Sequence, residues 1–304
     1  MDLREIGEFG LIDRISRGAV VRPETLVLGI GDDAAAYVAS TGLLQLASTD
    51  MLAEGVHFDL SLIAPEQLGH KALAVNLSDI AAMGGAPRQA LVSVALPPRI
   101  SVEFVEAFYD GLKALARRFG VNLVGGDTVS TGGALAIGVT ALGEVAPELL
   151  CRRSGARAGD LVVVTGTLGD SAAGLAWLRR FGGAAASARP LLEAHLTPLP
   201  RVAEGAAIAR WAHSMDDISD GLAREAREIA AASGVGMRLY AAALPLSAAL
   251  GEAARLLDVP PLEFALFGGE DYELLFTIGA QEYEEMCIRD RVMPTVVQAV
   301  GRIC

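Results

Sequence analysis

Apolar residues along this chain follow two rhythms: short unbroken runs, and longer stretches that recur every three to four positions. The run closing on Ser48-Thr49-Asp50 (43–48) predicts a strand, and residues 66–83 predict a helix that is apolar on nearly every side. "QALVSVALP" (89–97) has the character of a buried strand. Residues 101–119 repeat with helical period and run into Gly120, a residue suited to a C-cap. "VNLVGGDT" and "ALAIGVTALGEV" then predict a strand, a turn and a longer strand. The second half repeats the alternation, with strands at 161–165, near 213–217, at 236–240 and at 272–278. Its helices fall near 170–181, 199–211, 220–232 and 260–266, while alanine-rich 181–190 reads as surface turns or weak helix ends.

Strands and helices mixed in both halves predict an α/β or α+β architecture of two similar-sized domains. After Pro147, the basic, glycine-punctuated "RRSGARAGD" is a connector, so the boundary falls at about 147–160. The expected domains are residues 1–147 and 148–304.

Composition narrows the function. With 304 residues, 52% of them hydrophobic and 20% charged, the chain has apolar surface for a proper core. Gly, Asp or Arg breaks every apolar stretch before ~18 residues, which speaks against a membrane span. The first residues lack the basic and apolar regions of a signal peptide. Cys151, Cys287 and Cys304 form no C-x-x-C pair, which fits a reducing cytoplasm. A net charge of −12 argues against nucleic acid, and phosphate binding by so acidic a chain would require metal ions. Lysine occurs only at Lys71 and Lys113, neither in a phosphate-binding G-x-x-x-x-G-K-[ST] loop. "TGTLGDSAAGL" imitates a dinucleotide-binding turn, but its glycine spacing is wrong and a tight strand-to-helix turn is the better reading.

Candidate chemistry lies in aspartates that follow strands or interrupt apolar helices: Asp32, Asp33, Asp50, Asp79, Asp127, Asp217 and Asp220. Asp32 reads equally well as turn chemistry. Asp79 sits among Leu73, Val75, Leu77, Ile80 and Ala81, and a lone buried carboxylate costs several kcal/mol. Taken singly, Asp79 would pair with Lys71 or an arginine. Taken together, the set suits a hard cation such as Mg²⁺, with Ser48 and Thr49 adding hydroxyl oxygens. "GGEDYELLF" adds Glu270 and Asp271 at a glycine turn, where either acid is also an ordinary turn or helix-start residue. His57 stands close behind Asp50, whereas His70, His195 and His213 read as ordinary surface or partly buried residues.

These motifs, in order, are "GIGDDA", "STDMLAEGVHF", "KALAVNLSDIAAMGGAP", "LVGGDT", "RRSGARAGD", "VTGTLGDSAAGL", "HLTPLPR", "MDDISDGL" and "GGEDYEL". The series resembles the thiamine-monophosphate kinase family, within the wider aminoimidazole ribonucleotide synthetase-like superfamily. The resemblance implies an N-terminal domain that dimerises, an α/β C-terminal domain, and a cytoplasmic homodimer that acts on thiamine monophosphate and ATP. It implies that Asp33, Ser48, Thr49, Asp50, Asp79, Asp127, Asp217 and Asp220 hold several Mg²⁺ ions. It assigns Tyr109, Gly126, Asp127, Arg153 and Ser219 to ATP, and His57 and Glu270 to thiamine phosphate. No catalytic base is expected. Another ATP-dependent superfamily member, or a non-catalytic nucleotide- or metal-binding homologue, remains as an alternative. The resemblance also implies a helix before "TVVQAVGRI" and an aromatic-bearing segment after it. "EEMCIRDRVMP" (284–294) leaves little room for that helix, and no such aromatic precedes Cys304, so weakened thiamine-phosphate binding is expected.

Overall fold

The computed structural model describes residues 11, 14–28, 36–37, 39–183, 186–289 and 297–304. The chain forms two compact units, Met1–Ile80 with Pro87–Glu144, and Ala81–Ala86 with Val145–Cys304. Both mix strands and helices.

In the first unit, β1 (Leu26–Leu28) and β2 (Ala36–Tyr37) form a small antiparallel ladder. The main sheet takes β3 (Leu44–Ala53), β4 (Ala86–Leu96), β5 (Asn122–Ser130) and β6 (Ala136–Val145) in the order β3-β6-β4-β5. Helix α1 (Pro65–Ala82) is nearly all buried, as its all-round apolar pattern requires. Helix α2 (Val102–Phe119) is amphipathic and buries Val105, Phe108, Leu112 and Leu115 along one stripe. Ser101 Oγ caps its start by accepting from the Phe104 N–H, and Gly120 ends it in the left-handed region at φ 67°. β5 runs through Gly125-Gly126-Asp127 in parallel register with β4, with a register shift at Ala90/Leu91. Gly126 is required there, because a Cβ would collide with the Val92 carbonyl of β4.

The second unit is built on a five-stranded antiparallel sheet of β7 (Leu161–Thr165), β8 (Ser214–Asp217), β9 (Met237–Leu239), β10 (Leu274–Ile278) and β11 (Val297–Ile303). Its order is β8-β10-β7-β11-β9. Central "LVVVT" is apolar throughout because both of its faces are covered. Val162 and Val164 join Ile218, Leu222 and Ile229, whereas Val163 joins Ile208, Met215 and Phe276. The helices are α3 (Asp170–Phe181), α4 (Arg189–Leu196), α5 (Val202–Ile208), α6 (Leu222–Ser233), α7 (Ala248–Leu257), α8 (Pro261–Phe267) and α9 (Ala280–Arg289).

Three of these depart from the sequence expectation. Helix α4 starts at Arg189, within the stretch read as surface turns or weak helix ends, and runs on to Leu196 where no helix was expected, with Pro at its first turn. Helix α7 is bounded by the Ser247 cap and by Asp258 at φ 58°, in place of the usual glycine stop. Helix α9 occupies the segment that seemed too short for one, with Met286 buried against the sheet. No helix among the described residues is long and apolar enough to cross a membrane.

Candidate active site

Strand alternation sorts the first unit's candidates. Ser48 and Asp50 share one face of β3, and the Ser48 hydroxyl donates to Asp79 Oδ2 on α1. The Asp50 carboxyl also lies within hydrogen-bond reach of Asp79. Asn76, one turn before Asp79, fixes the strand by accepting from the Asp50 N–H at 3.0 Å. Asp79 therefore meets a hydroxyl and a second carboxyl. Burial raises the Asp50 pKa above the ordinary carboxyl range, against the opposing pull of the Asp79 hydrogen bond and the His57 charge. His57 follows a tight turn, and its Nδ1 accepts from the Ala53 N–H at 3.1 Å.

Thr49 points the other way. Its hydroxyl lies 3.1 Å from the Val139 carbonyl and 3.0 Å from Thr140 Oγ1. Asp127 belongs to that open face too: it pairs in register with exposed Ser93, between buried Val92 and Val94. The sheet thus separates Ser48, Asp50 and Asp79 from Thr49 and Asp127. Tyr109 is 7% exposed, edge-on to Phe108, and burial alone raises its phenol pKa. Asp33 lies outside the described residues.

In the second unit, two loops are knitted together. The Glu270 N–H donates to the Ser219 carbonyl at 2.6 Å, and the Tyr272 N–H to Ile218 at 2.9 Å. Gly269, Glu270 and Tyr272 all have positive φ, and for the two side-chain-bearing residues this is strained backbone of the kind concentrated at functional sites. Asp271 is absorbed by structure: both its oxygens accept from the Gly169 N–H at 3.0 Å, capping α3, and burial pushes its pKa well up. Arg153 Nε pairs with buried Asp216 at 2.7 Å. Burial opposes the Arg153 charge, but the Asp216 hydrogen bond and the charges of Asp216, Glu225 and Asp217 together raise its pKa. Asp217 is buried at the end of β8, while exposed Asp220 pairs with Arg224 at 3.0 Å.

Among the described residues, no group of three or more His, Cys, Asp or Glu side chains is arranged to hold a metal ion. The donor set that does form is two carboxylates and one hydroxyl, all hard oxygens. Mg²⁺ takes such a set, since it is commonly held by one or two carboxylates plus substrate phosphates.

Two family models match the chain: AIR synthase related protein, N-terminal domain, over residues 31–145, and the corresponding C-terminal domain over 157–288. Over 286 residues the chain is 41% identical to the thiamine-monophosphate kinase of Bacillus subtilis, covering 91% of this chain and 85% of that one. The chain belongs to the thiamine-monophosphate kinase family. Among solved members of this family, the Stenotrophomonas maltophilia enzyme superposes with a TM-score of 0.88 at 37% identity, covering 98% and 94% of the two chains. A structure described as AaThiL complexed with AMPPCP and TMP gives a TM-score of 0.79 at 38% identity, covering 100% and 92%.

Sequence reasoning missed two acidic-site features. Buried Glu225 accepts from the Asp220 N–H at 3.0 Å; burial raises its pKa, and the charges of Asp216 and Asp220 add to the rise. His195, set aside as ordinary, is 6% exposed and lies 3.3 Å from Glu270. Their signals were weak: Glu225 looks like any first-turn glutamate, and His195 stood out only through the family motif "HLTPLPR".

Proposed function

We propose that this chain transfers the γ-phosphoryl group of ATP to the phosphate of thiamine monophosphate, yielding thiamine diphosphate and ADP. The observation that carries the reading is the Ser48–Asp79–Asp50 oxygen cluster in a chain whose relatives are thiamine-monophosphate kinases. Adjacent carboxyls in an acidic protein call for a cation, and the substrates are anionic phosphates.

The nucleophile is an oxygen of the substrate phosphate, whose second pKa is about 6, so it is largely dianionic at neutral pH. No side chain needs to remove a proton from it. The new bond forms between that oxygen and the γ-phosphorus, and the bond to the β-phosphate oxygen breaks. Mg²⁺, when bound, supplies positive charge against the repulsion between the two phosphates and steadies the transition state. Asp50, Asp79 and Ser48 form the core of the proposed metal set, and Asp33, Thr49, Asp127, Asp217 and Asp220 are assigned to further Mg²⁺ ions. Gly126, Asp127, Arg153, Ser219 and Tyr109 are assigned to ATP, and His57 and Glu270 to thiamine phosphate. Tyr109 acts from a core position.

The N-terminal domain, 1–147, is proposed to pair two copies in a cytoplasmic homodimer, with 148–304 as the second domain. The open sheet face supports this pairing, since Met51 is 67% and Val129 49% exposed there. Sedimentation at micromolar concentration is expected to give a dimer; a monomer sinks that part. Turnover of thiamine phosphate, read by separating nucleotide and thiamine products with and without Mg²⁺, tests the activity itself. Absence of Mg²⁺-dependent product would overturn the reading.

A further inference from the structure

Helix α4 carries a histidine to which the mechanism above gives no task. His195 Nδ1 lies 3.1 Å from Ser171 Oγ on α3 and 3.3 Å from Glu270 Oε2. With the hydrogen on Nδ1, the ring is the shared donor of both contacts, and Ser171 Oγ and Glu270 Oε2 each accept from it. The two helices come close enough because residue 174 is glycine. A Cβ there would strike the Leu191 carbonyl and lie 3.3 Å from His195 Cβ. Helix packing thus places the imidazole, and the imidazole reaches Glu270.

Glu270 is held at both ends. Its backbone is left-handed, at φ 57°, with its N–H on the Ser219 carbonyl, while its side chain, 27% exposed, meets the buried ring. A carboxylate anchored through Oε2 presents Oε1 in one direction. An unanchored glutamate would lose torsional freedom on meeting a ligand and would bind it less tightly.

We propose that His195 is a positioning residue: with Ser171 it fixes the Glu270 carboxylate toward the thiamine moiety, whose thiazolium ring carries a permanent positive charge. This rests on the reading of Glu270 as substrate-facing.

Steady-state kinetics of the full chain test it with His195→Leu, His195→Asn, Glu270→Gln and the double variant H195L/E270Q. His195→Leu is expected to raise KM for thiamine phosphate about tenfold, the scale of one hydrogen bond to a charged group, leaving KM for ATP and kcat unchanged. His195→Asn keeps an N–H near the Nδ1 position and restores most of the loss. The double variant is no worse than Glu270→Gln alone. An equal rise in both KM values, or a lowered melting temperature without a selective KM change, marks a structural role and overturns the proposal. If Glu270→Gln raises KM for thiamine phosphate and His195→Leu does not, the proposal falls while the substrate site stands. If Glu270→Gln changes nothing, both fall. Should His195→Leu fail to fold, Ser171→Ala removes the contact that holds the ring, and an unchanged KM for thiamine phosphate there overturns the proposal.

Discussion

Arg201 grips Glu273 with two guanidinium nitrogens, Nε reaching Oε2 at 2.7 Å and Nη2 reaching Oε1, while Thr165 Oγ1 donates to Oε2 at 2.6 Å. Glu273 is 5% exposed, so the pair is desolvated and each member depends on the other. Arg201→Met leaves that carboxylate unpaired and is expected to cost about 3–5 kcal/mol in urea unfolding. The double variant R201M/E273M loses less, since the Glu273 charge goes with its partner and only the weaker 3.8 Å contact of Arg201 with Glu204 is given up. Equal losses in the two variants would contradict the pairing.

Asp79→Asn keeps the size of the side chain and removes its charge. Expected is a folded protein with far-UV circular dichroism like the parent and turnover reduced by about 100-fold or more, the scale of a disrupted metal site. Near-parental turnover in the folded variant refutes the role assigned to Asp79.

Gly126→Ala drives a methyl group into the Val92 carbonyl, which is backbone and cannot step aside. A loss of about 1–3 kcal/mol is expected from overpacking between β4 and β5. Gly125→Ala meets only Leu91 Cδ2 at 3.1 Å, the end of a flexible side chain, and is expected to cost less. Denaturant midpoints of the two variants decide the order.

Cys151 is buried and its thiol is pushed up to about 11 by burial. At pH 8 its thiolate fraction is therefore about 100-fold below that of an ordinary thiol, and it should resist alkylation in the native protein. Exposed Cys304 should react readily. Peptide mapping after iodoacetamide treatment reads both. Because the folded-state pKa is raised, the stability gained by burying the thiol is complete below the ordinary thiol pKa and lost as pH climbs through about 11.

Much of the fold was legible because its signals are local. Leu161–Thr165 and Asp170–Phe181 fall where the apolar run and the helical period put them. Helix α7 was hidden because a glycine, Gly251, interrupts it and αL Asp258, a residue with no obvious stop signal, ends it. The site divides along the same line. Sequence flags Asp79 as a carboxylate in an apolar helix and Ser48 as a hydroxyl beside Asp50, but not their contact, which a strand makes across 31 residues. Thr49 and Asp127 looked equivalent to Ser48 and Asp50, yet pleating sends them to the opposite face, and only a known sheet register reveals that.

The order β8-β10-β7-β11-β9 has a consequence for how the second unit is made. Its central strand β7 emerges first of the five, but both of its neighbours, β10 and β11, come last. Until residue 303 has been synthesised, "LVVVT" keeps an unpaired edge of strongly β-forming residues, the kind of template on which nascent chains stick to one another. Folding of this sheet is therefore a late event dominated by long-range pairing, and it should be slow. Of the two units, this is the one whose yield should respond to chaperones and to growth temperature.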